Sequence, residues 1–431
     1  MTPQGNLMVL APVTAGRESE LRTLLASMNR EPGVVDPDNA LVPFRRLERV
    51  HFARFVILDD RTLDDITIYG LPRVDYPLTV AFIADFDGPQ NSFIDDLVRV
   101  AGSGLSRIFA CCGFTGGDLQ SWMNQHRVKP AANYVNTVGR TMLQVREEAA
   151  LRDFICTYLR GAGAPVVAKM SPSQIHQSLR ELVKSSGIKL TPPAPTPIGW
   201  RISQLINFIT GLLFIPLAIV LLPILIPLGI IYLIILRKHE TTDAEVDRRA
   251  APDIQRRLAE IEDHDVTNQF SALGTLKPGW FRLLTISLAL TVINWIARHI
   301  FTHGHLGRVQ TIHFARWIYL NDKKRLYFAS NYDGSLDSYM DDFINKVGFG
   351  LNLVFSSGIG YPRTNYLVFD GAKDEQKFKR YIRRHQLPTE VWYDAHPGRT
   401  AVDLARNTRI REGLERSSMS DAKTREWLQL F

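Results

Sequence analysis

His51-Phe52-Ala53-Arg54-Phe55-Val56-Ile57-Leu58 returns in the second half of the chain as His313-Phe314-Ala315-Arg316-Trp317-Ile318-Tyr319-Leu320. Downstream, residues 82–110 align without a gap on 328–356, and ten of these 29 positions are identical. The shared positions include Asp87-Gly88 with Asp333-Gly334, Asp95-Asp96 with Asp341-Asp342, and Gly104-Leu105 with Gly350-Leu351. A repeat of this size means two copies of one structural unit, so it sets the architecture before any motif is read.

Around the first copy, residues 7–13 read as a buried strand. Glu18–Met28 carries Leu21, Leu24, Leu25 and Met28 at helical spacing. Strands over 50–58 and 78–86, a helix over 90–101 closed by Gly102-Ser103-Gly104, and a strand over 106–111 complete a β-α-β-β-α-β order, that of the ferredoxin-like split βαβ unit. The second copy predicts strands at 311–320 and 325–332, a helix at 336–347 and a strand at 351–356. A strand at 365–369, a helix at 373–385 and a strand near 391–393 follow. A strand–helix pair over 141–160 either closes the first copy or opens the second. Arg140-Thr141 and Arg363-Thr364 occupy matching places before the last strand–helix pair of each copy. The expected fold class is α+β: two ferredoxin-like repeats packed as a pseudo-dimer around an inserted membrane-associated helical segment. The expected segments are 1–165 (first repeat), 166–200 (linker), 201–237 (apolar segment), 238–281 (polar helical connector), 282–305 (interfacial helix), 306–400 (second repeat) and 401–431 (tail).

Residues 202–236 run 35 positions without a charge. As a straight helix they would extend ~52 Å, against a hydrocarbon core of ~30 Å. Pro216, Pro223 and Pro227, with Gly211 and Gly229, break the stretch, so it reads as a kinked span or a re-entrant hairpin. Residues 283–297, between Arg282 and Arg298, read as an interfacial helix. Basic residues flank the long stretch on both sides: Lys184, Lys189 and Arg201 before it, Arg237, Lys238, Arg248, Arg249, Arg256 and Arg257 after it. Two copies that pack together must also lie on one side of a bilayer. Both points favour soluble domains on the cytoplasmic face; two full spans with 237–281 on the far side is the competing topology. The start of the chain has no signal-peptide pattern. A formal charge of +7 without a recognisable module argues against nucleic acid as a partner and suits anionic lipid. Three cysteines form no framework and point to a reducing compartment.

Strict alternation along His313–Leu320 places His313, Ala315, Trp317 and Tyr319 on one face, toward a cavity between the sheets, and Arg316 toward the helices, within reach of Asp341 or Asp342. His51 and His313 read either as satisfied sheet histidines or as proton-transfer groups or axial ligands. Asp87-Gly88 and Asp333-Gly334 read either as caps of the helices they precede or as carboxylates at the cavity mouth. His299, His303 and His305 form a loose cluster, with the first two one helical turn apart. The chain contains no P-loop, Gly-x-Ser-x-Gly, Cys-x-x-Cys or His-Glu-x-x-His pattern, and no metal site is expected.

The duplicated unit resembles the dimeric α+β-barrel superfamily, which groups antibiotic-biosynthesis-type monooxygenases, chlorite-dismutase-like proteins and dye-decolorising-type haem peroxidases. The resemblance covers roughly 7–160 and 310–395. It rests on element order, on Val-Leu-Ala-Pro-Val followed by Gly-Arg-Glu-Ser-Glu-Leu, and on the duplication. The peroxidases carry Gly-x-x-Asp-Gly; here Ala84-Asp-Phe-Asp-Gly88 and Ser330-Asn-Tyr-Asp-Gly334 match it without the first glycine. The resemblance implies an oxidoreductase-like protein, haem-dependent or cofactor-free, that takes a small apolar or lipid-derived substrate into the inter-sheet cavity. In that reading His313 or His51 is the acid/base or haem ligand and Asp333 or Asp87 the distal carboxylate. Arg363 or Arg140 holds an anionic group, beside Trp317 and Tyr319. The alternative is a non-catalytic, membrane-bound module that binds lipid or a partner.

Overall fold

The computed structural model describes residues 1–431 as a mixed α+β protein with two four-stranded antiparallel sheets. The first sheet contains β1 (Gln4–Pro12), β2 (Val50–Leu58) and β3 (Thr79–Asp87). The second contains β4 (Ala132–Val135), β5 (Thr267–Thr275), β6 (Ile312–Leu320) and β7 (Arg325–Asp333). A last strand, β8 (Thr389–Asp394), joins the first sheet. The orders are β1-β3-β2-β8 and β5-β7-β6-β4, so each sheet takes its fourth strand from the other half of the chain. Each crossing segment begins at the outer edge of its own first strand. Leu10 N–H donates to His126 O and Val128 N–H to Met8 O before the chain passes to β4; Leu387 N–H donates to Ser271 O before β8. The crossings pair sheet edges that would otherwise present free N–H and C=O groups.

The sheets meet face to face. Met8, Val56, Ile83, Leu273, Ile318 and Tyr327 pack between them. On the outer face of the first sheet lie α1 (Glu18–Ala26) and α2 (Gln90–Ala110), burying Leu21, Leu25, Phe93 and Leu97 against Phe55 and Phe82. Each such aromatic or leucine stabilises the fold by ~1.5–3 kcal/mol through burial. Further along the chain come α3 (Met142–Arg160), α4 (Pro172–Ser186), α5 (Ile198–Val220), α6 (Leu222–Thr242) and α7 (Trp280–His299). Then α8 (Leu336–Phe355) and α9 (Glu375–His385) flank the second sheet, and α10 (Ala401–Glu415) packs against α3.

Several expectations change. Residues 106–111 and 351–356 are not strands but the last turns of α2 and α8, because Gly102 and Gly104 do not end the helix. Gly104 instead passes against the Leu41 carbonyl, where a β-carbon would overlap the backbone. The fourth strands therefore come later, and Thr141–Val145 opens a helix capped by Thr141. The connector 238–281 contains β5, whose small polar residues conceal it from a hydrophobicity reading. The tail 401–431 and the linker 166–200 hold helices whose Leu179, Val183, Ile410, Leu414 and Trp427 share one core.

Helices α5, α6 and α7 are each long and apolar enough to cross a membrane. Only Leu221 separates α5 from α6. Near the middle of α5, the Asn207 carbonyl accepts from Trp295 Nε1 (3.3 Å) and its Oδ1 lies 2.8 Å from His299 Nε2. Toward the end of α6, Tyr232 meets Thr285 (3.1 Å), and Asp243 just beyond it pairs with Arg282. The arms thus leave and rejoin the same helix, α7, at points ~15 Å apart along its axis, although 25 straight helical residues would span ~37 Å. The apolar segment must bend back on itself.

The repeat-equivalent glycines 104 and 350 should respond oppositely to alanine. Gly104→Ala should lower stability by ~2–4 kcal/mol through overlap with Leu41. Gly350→Ala, with open space around it, should raise stability by ~1 kcal/mol from helix propensity. Thermal melts of the two variants check both signs.

Candidate functional site: the paired histidines

Both His-Phe-Ala-Arg strands carry a β-bulge at the histidine: the register shifts between Val50 and Phe52, and again between Ile312 and Phe314. A bulge places two consecutive side chains on one side of the sheet. His51 and Phe52, like His313 and Phe314, therefore all turn toward the opposing sheet. Beyond the bulge alternation resumes with the parity reversed. Trp317 and Tyr319 face the helices, where Tyr319 Oη lies 3.3 Å from Ser287 Oγ on α7, instead of sharing a cavity with His313. Arg54 and Arg316 face the opposing sheet, not Asp95-Asp96 or Asp341-Asp342.

His51 Nε2 lies 2.9 Å from Asp87 Oδ1, and His313 Nε2 lies 2.7 Å from Asp333 Oδ1. With the ring N–H placed on Nε2 by this network, each histidine donates to its carboxylate. The second carboxylate oxygen accepts the first peptide N–H of a helix: Met142 N to Asp87 Oδ2 at 2.7 Å, Ala401 N to Asp333 Oδ2 at 2.8 Å. Each aspartate thus caps α3 or α10, not the helix that follows it in sequence. Asp333 also accepts from Thr267 Oγ1 at 3.1 Å. All four side chains are buried.

The rings close over one another. Phe52 stacks on Trp392 (5.3 Å) and packs edge-on to His313 (5.2 Å), while Phe314 lies 5.5 Å from His51. A third histidine, His396, lies 5.5 Å from His313 and packs edge-on to Phe52 (4.9 Å). It is fully buried, and neither ring nitrogen has a hydrogen-bond partner. Its Nδ1 is 3.1 Å from Asp394 Oδ1, but that oxygen instead accepts the His396 peptide N–H at 2.8 Å. Burial holds the imidazole well below its ordinary range, reinforced by the neighbouring His313 and His51. Burial likewise drives the Asp394 carboxyl well above its ordinary range, with Asp265 and Asp333 adding to the shift. Burial thus disfavours the charged form of both groups.

Deeper between the sheets, Arg316 pairs with Asp85 and Arg54 donates to the carbonyls of Phe270 (2.8 Å) and Ser330 (3.1 Å). Asn331 holds the place that Asp85 has in the first copy, so Arg54 lacks a carboxylate. It lies over the Trp392 ring at 5.0 Å, and burial lowers its pKa to about 10. These residues and their apolar neighbours fill the space where a cavity was expected. Cavities lined by Phe343 and Phe378, by Asp60 and Glu390, and by Leu71 and Trp280 lie elsewhere in the molecule.

Comparison of the chain with family models, curated proteins and solved structures finds no match. The site is therefore read from its own geometry. A haem does not fit beside His313: its Nε2 is engaged by Asp333, and Phe52 and His396 close over the ring. Arg363 lies apart from the histidines, 3.3 Å from Glu245 and from the Asp243 carbonyl. Arg140 is half-buried, its pKa lowered by burial, with Glu148 and Glu412 opposing the shift. Its structural counterpart is Arg399, not Arg363. Gly139-Arg140-Thr141 and Gly398-Arg399-Thr400 both lead into a helix through a left-handed glycine (φ 88° and 73°) and a threonine cap. That three-residue identity was the available signal for matching the two crossings. His299, His303 and His305 bind Asn207, Thr302 and the Phe301 ring separately and do not converge.

The two opposite shifts predict opposed pH terms. Below its ordinary pKa of 6.5 His396 takes a proton in the unfolded chain that the native fold refuses, so stability falls as pH drops through about 6.5. Asp394 releases its proton in the unfolded chain above 3.8 but keeps it in the native fold, so stability falls as pH rises above that value. His396→Gln should flatten the acid-side loss, and Asp394→Asn should stabilise at pH 7 relative to pH 4. Denaturant melts across pH 4–8 check both.

Proposed function

We propose that the protein is a membrane-bound, non-catalytic lipid- or partner-binding module on a duplicated ferredoxin-like fold, displayed on the cytoplasmic side of its bilayer. The observation that carries this reading is the apolar surface of α5 and α6. None of the most apolar stretch of α5, and 6% of that of α6, is buried in the protein, although mean hydropathies there reach 1.9 and 1.6. Exposed apolar surface on this scale needs lipid or protein to cover it. Both arms return to α7, and basic residues flank both ends, which supports an anchor that keeps the two halves on one side.

Segments 126–128 and 386–387 lie beside the first strand of their own copies, where the last strand of a split βαβ unit belongs. This supports the ferredoxin-like duplication and is in keeping with the dimeric α+β-barrel resemblance. The filled inter-sheet space supports a scaffold role for His51, His313, Asp87 and Asp333. In vesicles the full chain should resist alkaline carbonate extraction. Phe214→Asp combined with Ile226→Asp, each costing ~2.5–3.5 kcal/mol at mid-membrane depth, should release it. Wild-type protein in the supernatant would reject the proposal.

One observation favours a second reading, oxidoreductase-like chemistry on a small apolar substrate. His396 and Asp394 are buried polar groups with unpartnered atoms packed beside His313, and a catalytic role is one explanation for such groups. An absorption spectrum after haem supplementation separates the readings. The module reading expects no Soret band; a band lost in His396→Ala would overturn it.

A further inference from the structure

A cleft of about 450 Å³ opens at the start of α7, the only one of the three apolar helices with a substantial buried face. Leu63, Ile66, Leu71 and Val74 form one wall, in the segment that joins β2 to β3; Trp280 and Leu283 of α7 form the other. The tip of the β6–β7 hairpin, Asp322-Lys323-Lys324, stands at the rim. The apolar walls are open to the outside: Leu71 is 42% exposed, Val74 46% and Trp280 72%. The volume lies within the range of small-molecule sites, roughly 300–1,000 Å³.

The charges at the cleft differ in availability. Lys277, at its base, is spent internally: its ammonium lies 2.9 Å from Asp243, and burial lowers its pKa to about 8. Lys323 and Lys324 are exposed, and Lys323 Nζ touches only the Tyr319 ring, at 5.7 Å. With Asp322 beside them the tip keeps one net positive charge. Nearby Arg73 is already paired with Asp64 and Asp75.

The cleft is also continuous with the membrane-facing surface. Trp280, Leu284, Leu288 and Val292 are exposed and succeed one another at i, i+4 spacing, so one apolar stripe runs from the cleft along α7. An exposed tryptophan at the end of an apolar helix belongs at headgroup depth. An occupant would thus have acyl chain against Leu71, Val74 and the stripe, and a negative group at the lysines. We propose that this cleft binds one anionic phospholipid of the surrounding bilayer, its headgroup at Lys323 and Lys324 and an acyl chain between Leu71 and Trp280. The assignment rests on the membrane-bound reading above.

The test is native mass spectrometry of the full chain, extracted in mild detergent from vesicles of phosphatidylglycerol and phosphatidylcholine. One phosphatidylglycerol should be retained per chain in preference to phosphatidylcholine. Lys323→Glu with Lys324→Glu should reduce retention by about tenfold or more, as should Leu71→Asp, a half-exposed position whose change spares the core. Equal retention of both lipids, or unchanged retention in both variants, would overturn the proposal. So would displacement by millimolar inorganic phosphate, which would mean that only the charge is read. Carbonate extraction of the same preparations separates the two failures. Both variants should remain in the pellet, whereas wild-type protein in the supernatant would remove the membrane-bound reading itself.

Discussion

Asp87 and Asp333 each tie together three parts of the chain: the strand that carries them, the bulge histidine of the neighbouring strand, and the first peptide N–H of a helix from beyond a crossing segment. A buried carboxylate needs several donors to offset its lost hydration, and each receives one from an imidazole and one from a helix N-terminus. The helix ends would otherwise keep unpaired N–H groups inside the fold. Satisfying the carboxylate therefore fixes where α3 and α10 start. That in turn fixes where the crossing strands β4 and β8 must end, and so how the two sheets are joined.

The interior is asymmetric between the two repeated segments. Arg316 has Asp85 across the sheets, while Arg54 has backbone carbonyls and the Trp392 face, because Asn331 replaces the second acid. The third histidine is equally one-sided: His396 and Asp394 occupy places held by Thr137 and Val135 in the other crossing. The outside is asymmetric too. The nine-residue α1 of the first copy corresponds to the twenty-residue apolar α7 of the second. The inserted α5 and α6 return to this lengthened helix at both ends. One half of the molecule thus serves as a compact core element, and the other carries the apolar surface and the cleft beside it.

Much of the fold was legible in the residues. The paired His-Phe-Ala-Arg strands, the hairpin at 311–332 and the α2 and α8 starts follow from periodicity and from the repeat itself. Strand β5 was not legible, since Thr-Asn-Gln-Phe-Ser-Ala-Leu-Gly-Thr lacks the apolar run of a buried strand; Thr267 and Ser271 find their partners, Asp333 and Tyr327, far away in sequence. The glycines of α2 read as a stop because a helical glycine that makes room for a neighbouring backbone looks locally like a breaker. The histidines and the Asp-Gly turns were each legible as repeated features, but not that they bond to one another. Arg363, Trp317 and Tyr319 were not separable from them, because a single bulge residue reverses the facing of everything after it.

The sequence by itself determined that one segment recurs in an α+β chain, that a charge-free stretch lies between the two occurrences, and that a His-Phe-Ala-Arg segment and an Asp-Gly pair appear in each. These properties are written in residue identity and spacing along the chain. Only the tertiary structure decided that each sheet takes its fourth strand from the other half of the chain, that the space between the sheets is filled, and that His396 joins the histidines. It also decided that the apolar arms return to α7. Each of these depends on which distant backbone edge or buried group pairs with which, and a pairing between residues a hundred or more positions apart leaves no local pattern in the chain.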